Sequence, residues 1–196
     1  MYSIDQIIEV FNEKEYVVFH NDTRPYNLNY VGIRDISGVN SFNDVFVLFW
    51  KYKGEWSSIY WKGTTDPGTY WLENPTNPHG TAILKEGQWR GCWKLGLHQG
   101  KYEALVQRKE VTVIRDGNED NTLNIEGGYE DTGFFGINHH RANAKSESTQ
   151  IDKWSAGCQV TANPYEYDVF IQICKEAQEI WGEGITYTLL NKIDFK

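Results

Sequence analysis

Cys158 closes the run Trp-Ser-Ala-Gly-Cys, and His140 stands eighteen residues upstream, at the end of Asn-His-His. A cysteine attacks as thiolate, so it needs a base or a local field that draws off its proton, and a histidine is suited to that work. Gly157, just before the thiol, permits a tight turn. The N–H groups of Gly157 and Cys158 can then point at an oxyanion developing on a substrate carbonyl. Ser155 can assist there or hold the loop. Trp154 can wall a groove or anchor the loop in the core. Arg141, beside the histidine, can pair with a substrate carboxylate or sit solvated in the loop. The polar run between the two key residues is long enough to reverse direction and bring them together. Neighbours on a strand point to opposite faces, so only one of His139 and His140 can face Cys158. Spacing selects His140 and leaves His139 packed or exposed. The bland alternative is a small buried cysteine beside a surface loop. That reading suits Cys174, on the apolar stripe of a helix, and Cys92, in a strand-like run. A metal site built from His98, His139 and His140 is the weakest alternative, because no Asp or Glu stands at helical spacing.

The constellation resembles the catalytic domain of the L,D-transpeptidases, the YkuD-like family. That family places a histidine on a strand after an Ile-x-Ile or similar run, then a polar gap, then Ser/Thr-His-Gly-Cys. The matching residues are Ile137, His140, Ser155, Gly157 and Cys158. A second likeness lies in Gly-Thr-Thr-Asp-Pro-Gly-Thr-Tyr-Trp-Leu, from Gly63 to Leu72, which resembles the family's Thr-Pro-x-Gly-x-Phe/Tyr segment. Together they span about residues 60 to 170. The resemblance implies a β-sandwich-like domain and a Cys158 thioester formed on peptidoglycan stem peptides, with His140 as base and no cofactor needed for catalysis. It leaves open whether the acyl group passes to an amine or to water. The chain departs from the family at Ala156, where His is usual, and at Val160, where Arg or Asn is common. Ala156 is therefore a candidate substrate-contact position. Two other functions stay in view. One is a non-catalytic wall- or glycan-binding module, which eight tryptophans would permit. The other is a thiol enzyme acting on a different acyl substrate.

These residues need a frame. The segments 15–20, 28–36, 44–52, 56–63, 68–73 and 81–87 are short, rich in β-branched and aromatic residues, and broken by Gly, Asn, Asp or Pro. They read as strands. So do 92–99, 102–109, 111–116 and the final 185–190, while 133–140 reads as a central strand running into the histidines. Ser3 can cap an N-terminal helix with Ile4, Ile7, Ile8 and Phe11 on one face. Asn163, Pro164 and Glu166 are the cap, first-turn proline and capping-box partner of a C-terminal helix whose stripe includes Tyr167, Phe170, Ile171, Cys174, Ala177 and Ile180. The expected architecture is a single domain over 1–196, mainly β, a sandwich or partly closed barrel with an N-terminal and a C-terminal helix.

Composition limits the partners. The net charge is −8 with no basic stripe, so nucleic acid is a poor candidate. Three cysteines make neither a disulfide framework nor a zinc ribbon. The first residues lack a basic start and a long apolar run, so the sequence predicts a soluble product made in the cytoplasm without a signal peptide or membrane span. Such a protein would reach the bacterial wall after lysis or by delivery. Asp116, Asn118 and Asp120 alternate as in the first half of a calcium loop, with Gly127 where that loop ends in Glu. An acidic turn between strands is the preferred reading, and a structural calcium ion is the other. The oligomeric state is not legible.

Overall fold

The computed structural model describes residues 2–195. The helix α1 (Ile4–Glu13) opens the chain. Ser3 Oγ accepts from Gln6 N–H and Gln6 Oε1 accepts from Ser3 N–H, a reciprocal cap. Eleven strands follow with two more helices between them: β1 (Asn29–Arg34), β2 (Asp44–Tyr52), β3 (Glu55–Thr64), α2 (Thr69–Glu73), β4 (Thr81–Leu84), β5 (Gly87–His98), β6 (Tyr102–Gln107), β7 (Val111–Asp116), β8 (Tyr129–Gly133), β9 (His139–Arg141), β10 (Gln159–Thr161), α3 (Pro164–Trp181) and β11 (Ile185–Asn191).

Eight strands close into a barrel in the order β1-β11-β5-β6-β9-β10-β3-β2, and β4-β7-β8 form a separate antiparallel sheet. Two barrel pairs are parallel. One joins β1 to β11, from Tyr30 opposite Tyr187 to Arg34 opposite Asn191. The other joins β9 to β10, from His139 opposite Gln159 to Arg141 opposite Thr161. The fold is thus mainly β with a helix near each end, as expected, and the barrel is closed rather than partly open.

Alternation along the strands sorts the core. Tyr30, Phe46, Leu48, Trp61, Trp93 and Tyr187 belong to one apolar cluster, which the stripe of α3 joins through Tyr167, Phe170 and Cys174. Their strand neighbours Val31, Ile33, Val47 and Phe49 face the other way and pack on Ile7, Val10 and Phe11 of α1. Covered on both faces, β1 is buried at every residue. Among the described residues no helix is long and apolar enough to cross a membrane.

Three expected strands are something else. Residues 15–20 form no ladder, because amide side chains stand in for a strand partner. Asn29 accepts from Phe19 N–H and donates to Phe19 O, and Gln88 does the same for Val17. In 133–140 the chain breaks at Gly136, whose φ is +71°. Gln107 Oε1 accepts from both Phe135 N–H and Ile137 N–H. Gly133 ends β8, and strand pairing resumes only at His139–Arg141. Residues 69–73 are helical: Gly68, after Pro67, caps α2, and its carbonyl accepts from Trp71 and Leu72. At α3, Asn163 Oδ1 takes the Tyr165 N–H at 2.9 Å, so the cap forms through the residue before Glu166.

Candidate active site

The β9–β10 pair sets His140 on one strand and Cys158 just before its parallel neighbour. Its parallel register sets Val160 beside His140 and Gln159 beside His139. Cys158 lies two residues before Val160 and packs in the same apolar cluster, with Phe42, Ala142 and Ile151. Alternation therefore puts Cys158 and His140 on one face and His139 on the other. His139 is wholly buried in the barrel. Its Nδ1 meets the Tyr30 hydroxyl and its Nε2 lies 2.7 Å from Thr161 Oγ1. Burial holds it well below the ordinary imidazole range. The three-histidine metal site fails on the same geometry, since His139 faces away from the other two.

His140 is fixed from one side. Its Nδ1 lies 2.9 Å from the Arg141 carbonyl, and the Tyr102 hydroxyl is 3.3 Å away. A carbonyl only accepts, so Nδ1 carries the proton and Nε2 is the free, basic nitrogen. The His140 ring stacks on His98 with centroids 4.0 Å apart. Burial, then the His98 charge, pushes His140 down to about 3, so it is neutral at physiological pH. Burial pushes the Cys158 thiol up to about 11, against a pull from the Asn138 N–H. Sγ donates to the Gly136 carbonyl at 3.3 Å. The resting pair is thus a neutral thiol and a neutral imidazole, and the thiol proton points at a backbone carbonyl rather than at the ring.

The loop carrying Cys158 is tightly defined. Ser155 Oγ donates to Cys158 O at 2.7 Å and accepts from Gly157 N–H at 3.2 Å. Ser155 therefore holds the loop. It also engages the Gly157 amide, which corrects the expected two-amide oxyanion hole: the Cys158 N–H is left for that role. Gly157 has φ +122°, and a Cβ there would stand 2.3 Å from the Ala82 carbonyl of β4. The 63–72 segment braces the loop from below, with Gly68 N–H donating to Ser155 O at 2.9 Å and Gln159 Nε2 donating to Thr65 O at 3.3 Å. That segment is itself held by buried charge. Arg34 Nε lies 2.7 Å from Asp66 Oδ1, and Asp44 accepts from both the N–H and the hydroxyl of Thr65. Burial, then the Asp66 charge, lifts Asp44 to about 7.

Two cavities are lined by chain neighbours of the pair, though Cys158 and His140 themselves line neither. Ala156 lines one of about 290 Å³ with Trp71, Phe135 and Arg115. Arg115 stacks over Phe135 at 4.7 Å and pairs with Asp131 at 2.9 Å. Arg141 and Tyr102 line the other, of about 480 Å³. There the Arg141 guanidinium sits over the Tyr102 ring at 4.2 Å. Trp154 is 44% exposed, so it does not anchor the loop in the core. Cys92 and Cys174 are buried packing residues.

Sequence reasoning did not single out Tyr102, Asn138 or Arg115, and it saw His98 only as a metal candidate. His98 and Tyr102 face each other across one tight hairpin, a pairing visible in the run Leu-His-Gln-Gly-Lys-Tyr. Arg115 becomes part of the site only through the second sheet.

In the acidic loop, oxygens turn inward. Asp116 Oδ2 accepts from Asn124 N–H, Asp120 Oδ1 from Thr122 N–H, and Asn118 Oδ1 from Asp120 N–H. Among the described residues no three His, Cys, Asp or Glu side chains gather as metal ligands. The loop joins β7 to β8 as an Asn-rich turn.

Compared with family models, curated proteins and solved structures, the chain matches none.

Proposed function

We propose that the protein is a cysteine-dependent acyl-transfer enzyme acting on peptidoglycan stem peptides, as an L,D-transpeptidase or an L,D-carboxypeptidase or endopeptidase. The observation that supports it most is the shared face of Cys158 and His140, with His140 Nδ1 tied to a carbonyl so that Nε2 is the base. The resemblance of the Ser155–Cys158 run supplies the substrate class.

In this reading substrate draws the thiol off Gly136 O by rotation about the Cys158 Cα–Cβ bond. Sγ then bonds to the carbonyl carbon of the scissile amide as its proton passes to His140 Nε2. The Cys158 N–H stabilises the oxyanion. The C–N bond breaks, the departing amine takes the proton from Nε2, and a thioester remains. An incoming amine or water gives up a proton to His140 and attacks the thioester, returning Cys158 as thiol. Arg141, which forms no ion pair among the described residues, is the guanidinium suited to a substrate carboxylate, whereas Arg115 is already committed to Asp131 and Gly80 O. Ala156 gives the first cavity an open wall where the family carries an imidazole.

The test uses wild type and Cys158→Ala with purified walls and tetrapeptide-containing fragments, read by mass spectrometry. Loss of terminal D-alanine, new cross-links or amino-acid exchange in the wild type alone is the expected result. Identical spectra while both proteins bind wall would mean a binding module. Identical spectra without binding would remove the wall substrate altogether.

A further inference from the structure

A separate cavity of about 360 Å³ opens where the start of β11 and the end of α3 meet the first half of β5. Arg90, Arg108 and Lys109 line it, together with Phe19, Tyr26 and Trp181. It is distant from Cys158: His98, which stacks on His140, lies seven residues along β5 from Gly91, roughly 20 Å at the rise of a strand.

The cations converge. A Cβ built on Gly91 would stand 3.7 Å from both Arg108 Nη1 and Lys109 Nζ, so both side chains reach one point on the cavity wall. Gly91 adopts φ +60° there, with its N–H donating to Thr186 Oγ1 at 3.0 Å. Two guanidiniums are held by rings. Arg90 lies over Phe19 at 5.1 Å, and Arg24 lies over Trp181 at 4.7 Å. Trp181 is itself fixed by its Nε1–H, which donates to Pro25 O at 2.7 Å.

Among the described residues, no Asp or Glu lines the cavity, and Arg24, Arg90, Arg108 and Lys109 form no ion pair. Glu183 is directed to Lys94 at 4.0 Å, and Glu176 reaches the cavity edge only as the acceptor of the Tyr26 hydroxyl, not as a partner of a cation. A chain of net charge −8 has carboxylates in excess. Three cations without an ion-pair partner on one hollow, with Arg24 over the Trp181 ring beside them, are therefore a charge arrangement with a missing counterpart.

From this convergence we infer a binding site for a phosphate-bearing polyol or sugar. A lone carboxylate would leave the cations repelling one another, whereas a phosphate monoester or successive phosphodiesters supply two or more negative charges and the oxygen geometry that guanidiniums match. The volume leaves room for a body of sugar size beside the phosphate, against the edges of Trp181 and Phe19.

Titration calorimetry at low salt tests this with glucose 6-phosphate, a poly(glycerol phosphate) chain, and glucose. At least one phosphate probe binds, glucose does not, and the preferred probe tells a free monoester from a polymer repeat. R108Q/K109Q weakens that binding at least about tenfold, and so does R90Q, prepared separately should the double variant fail to fold. Absence of binding by both phosphate probes overturns the site, as does undiminished affinity in the folded variants. No acyl transfer enters this readout, so its failure leaves the Cys158 reading untouched.

Discussion

A cysteine and histidine that are both neutral at rest behave differently from a preformed thiolate–imidazolium pair. With His140 pushed down to about 3 and Cys158 up to about 11, the thiolate fraction at neutral pH is small and grows with pH. Alkylation of Cys158 by iodoacetamide should therefore rise about tenfold per pH unit and keep rising past pH 9. A rate that levels off below pH 8 would instead indicate a stored ion pair. Cys158 should still react before Cys92, which burial pushes up to about 12 and which is closed to solvent. At this scale the sequence was informative about identity and silent about state. The Ser-Ala-Gly-Cys run and the spacing to His140 named the pair, and strand alternation separated it from His139. What no local pattern carries is that Gly157 N–H is engaged by Ser155 Oγ, or that the thiol proton rests on Gly136 O. Those depend on how two strands and a loop meet.

The loop between β9 and β10 shows how elements share the work of positioning. It rests on β4 through Gly157, on the 63–72 segment through Gly68, and on β10 through Gln159. Gly157→Ala meets both an unfavourable φ and the Ala82 carbonyl. It should cost about 2–4 kcal/mol, measured by urea unfolding, and abolish the proposed acyl transfer in the folded fraction. Unchanged stability would mean that the loop and the small sheet move independently. The same side-chain substitution for backbone partners explains which elements were legible. Strands such as β2 and β3, paired over their whole length, announce themselves by aromatic and apolar content between turn residues. Residues 15–20 carry the same signal, yet Asn29 and Gln88 complete their hydrogen bonds, and Gln107 does so for 135–137. An amide acting at a distance leaves no trace in the segment it serves. The five residues of α2 are too few to show a helical period.

For the whole molecule the decisive contact is β11, which lies between β1 and β5. A chain ending at Gly184 would keep every candidate catalytic residue and yet expose the edges of β1 and β5. It should lose cooperative unfolding and elute as aggregate on gel filtration. A monomeric, cooperatively folding fragment would show that the barrel stands without its eighth strand. The position of β11 also sets an order in time. β1 emerges early in synthesis and finds β2 within a few residues, but its other neighbour is not made until residue 191 has been added. Through that interval the nascent chain presents an unsatisfied, apolar strand edge, the kind of surface that invites pairing with neighbouring chains. Cys158 and His140 are translated before the scaffold can close, so the thiol gains its folded surroundings only with the last strand.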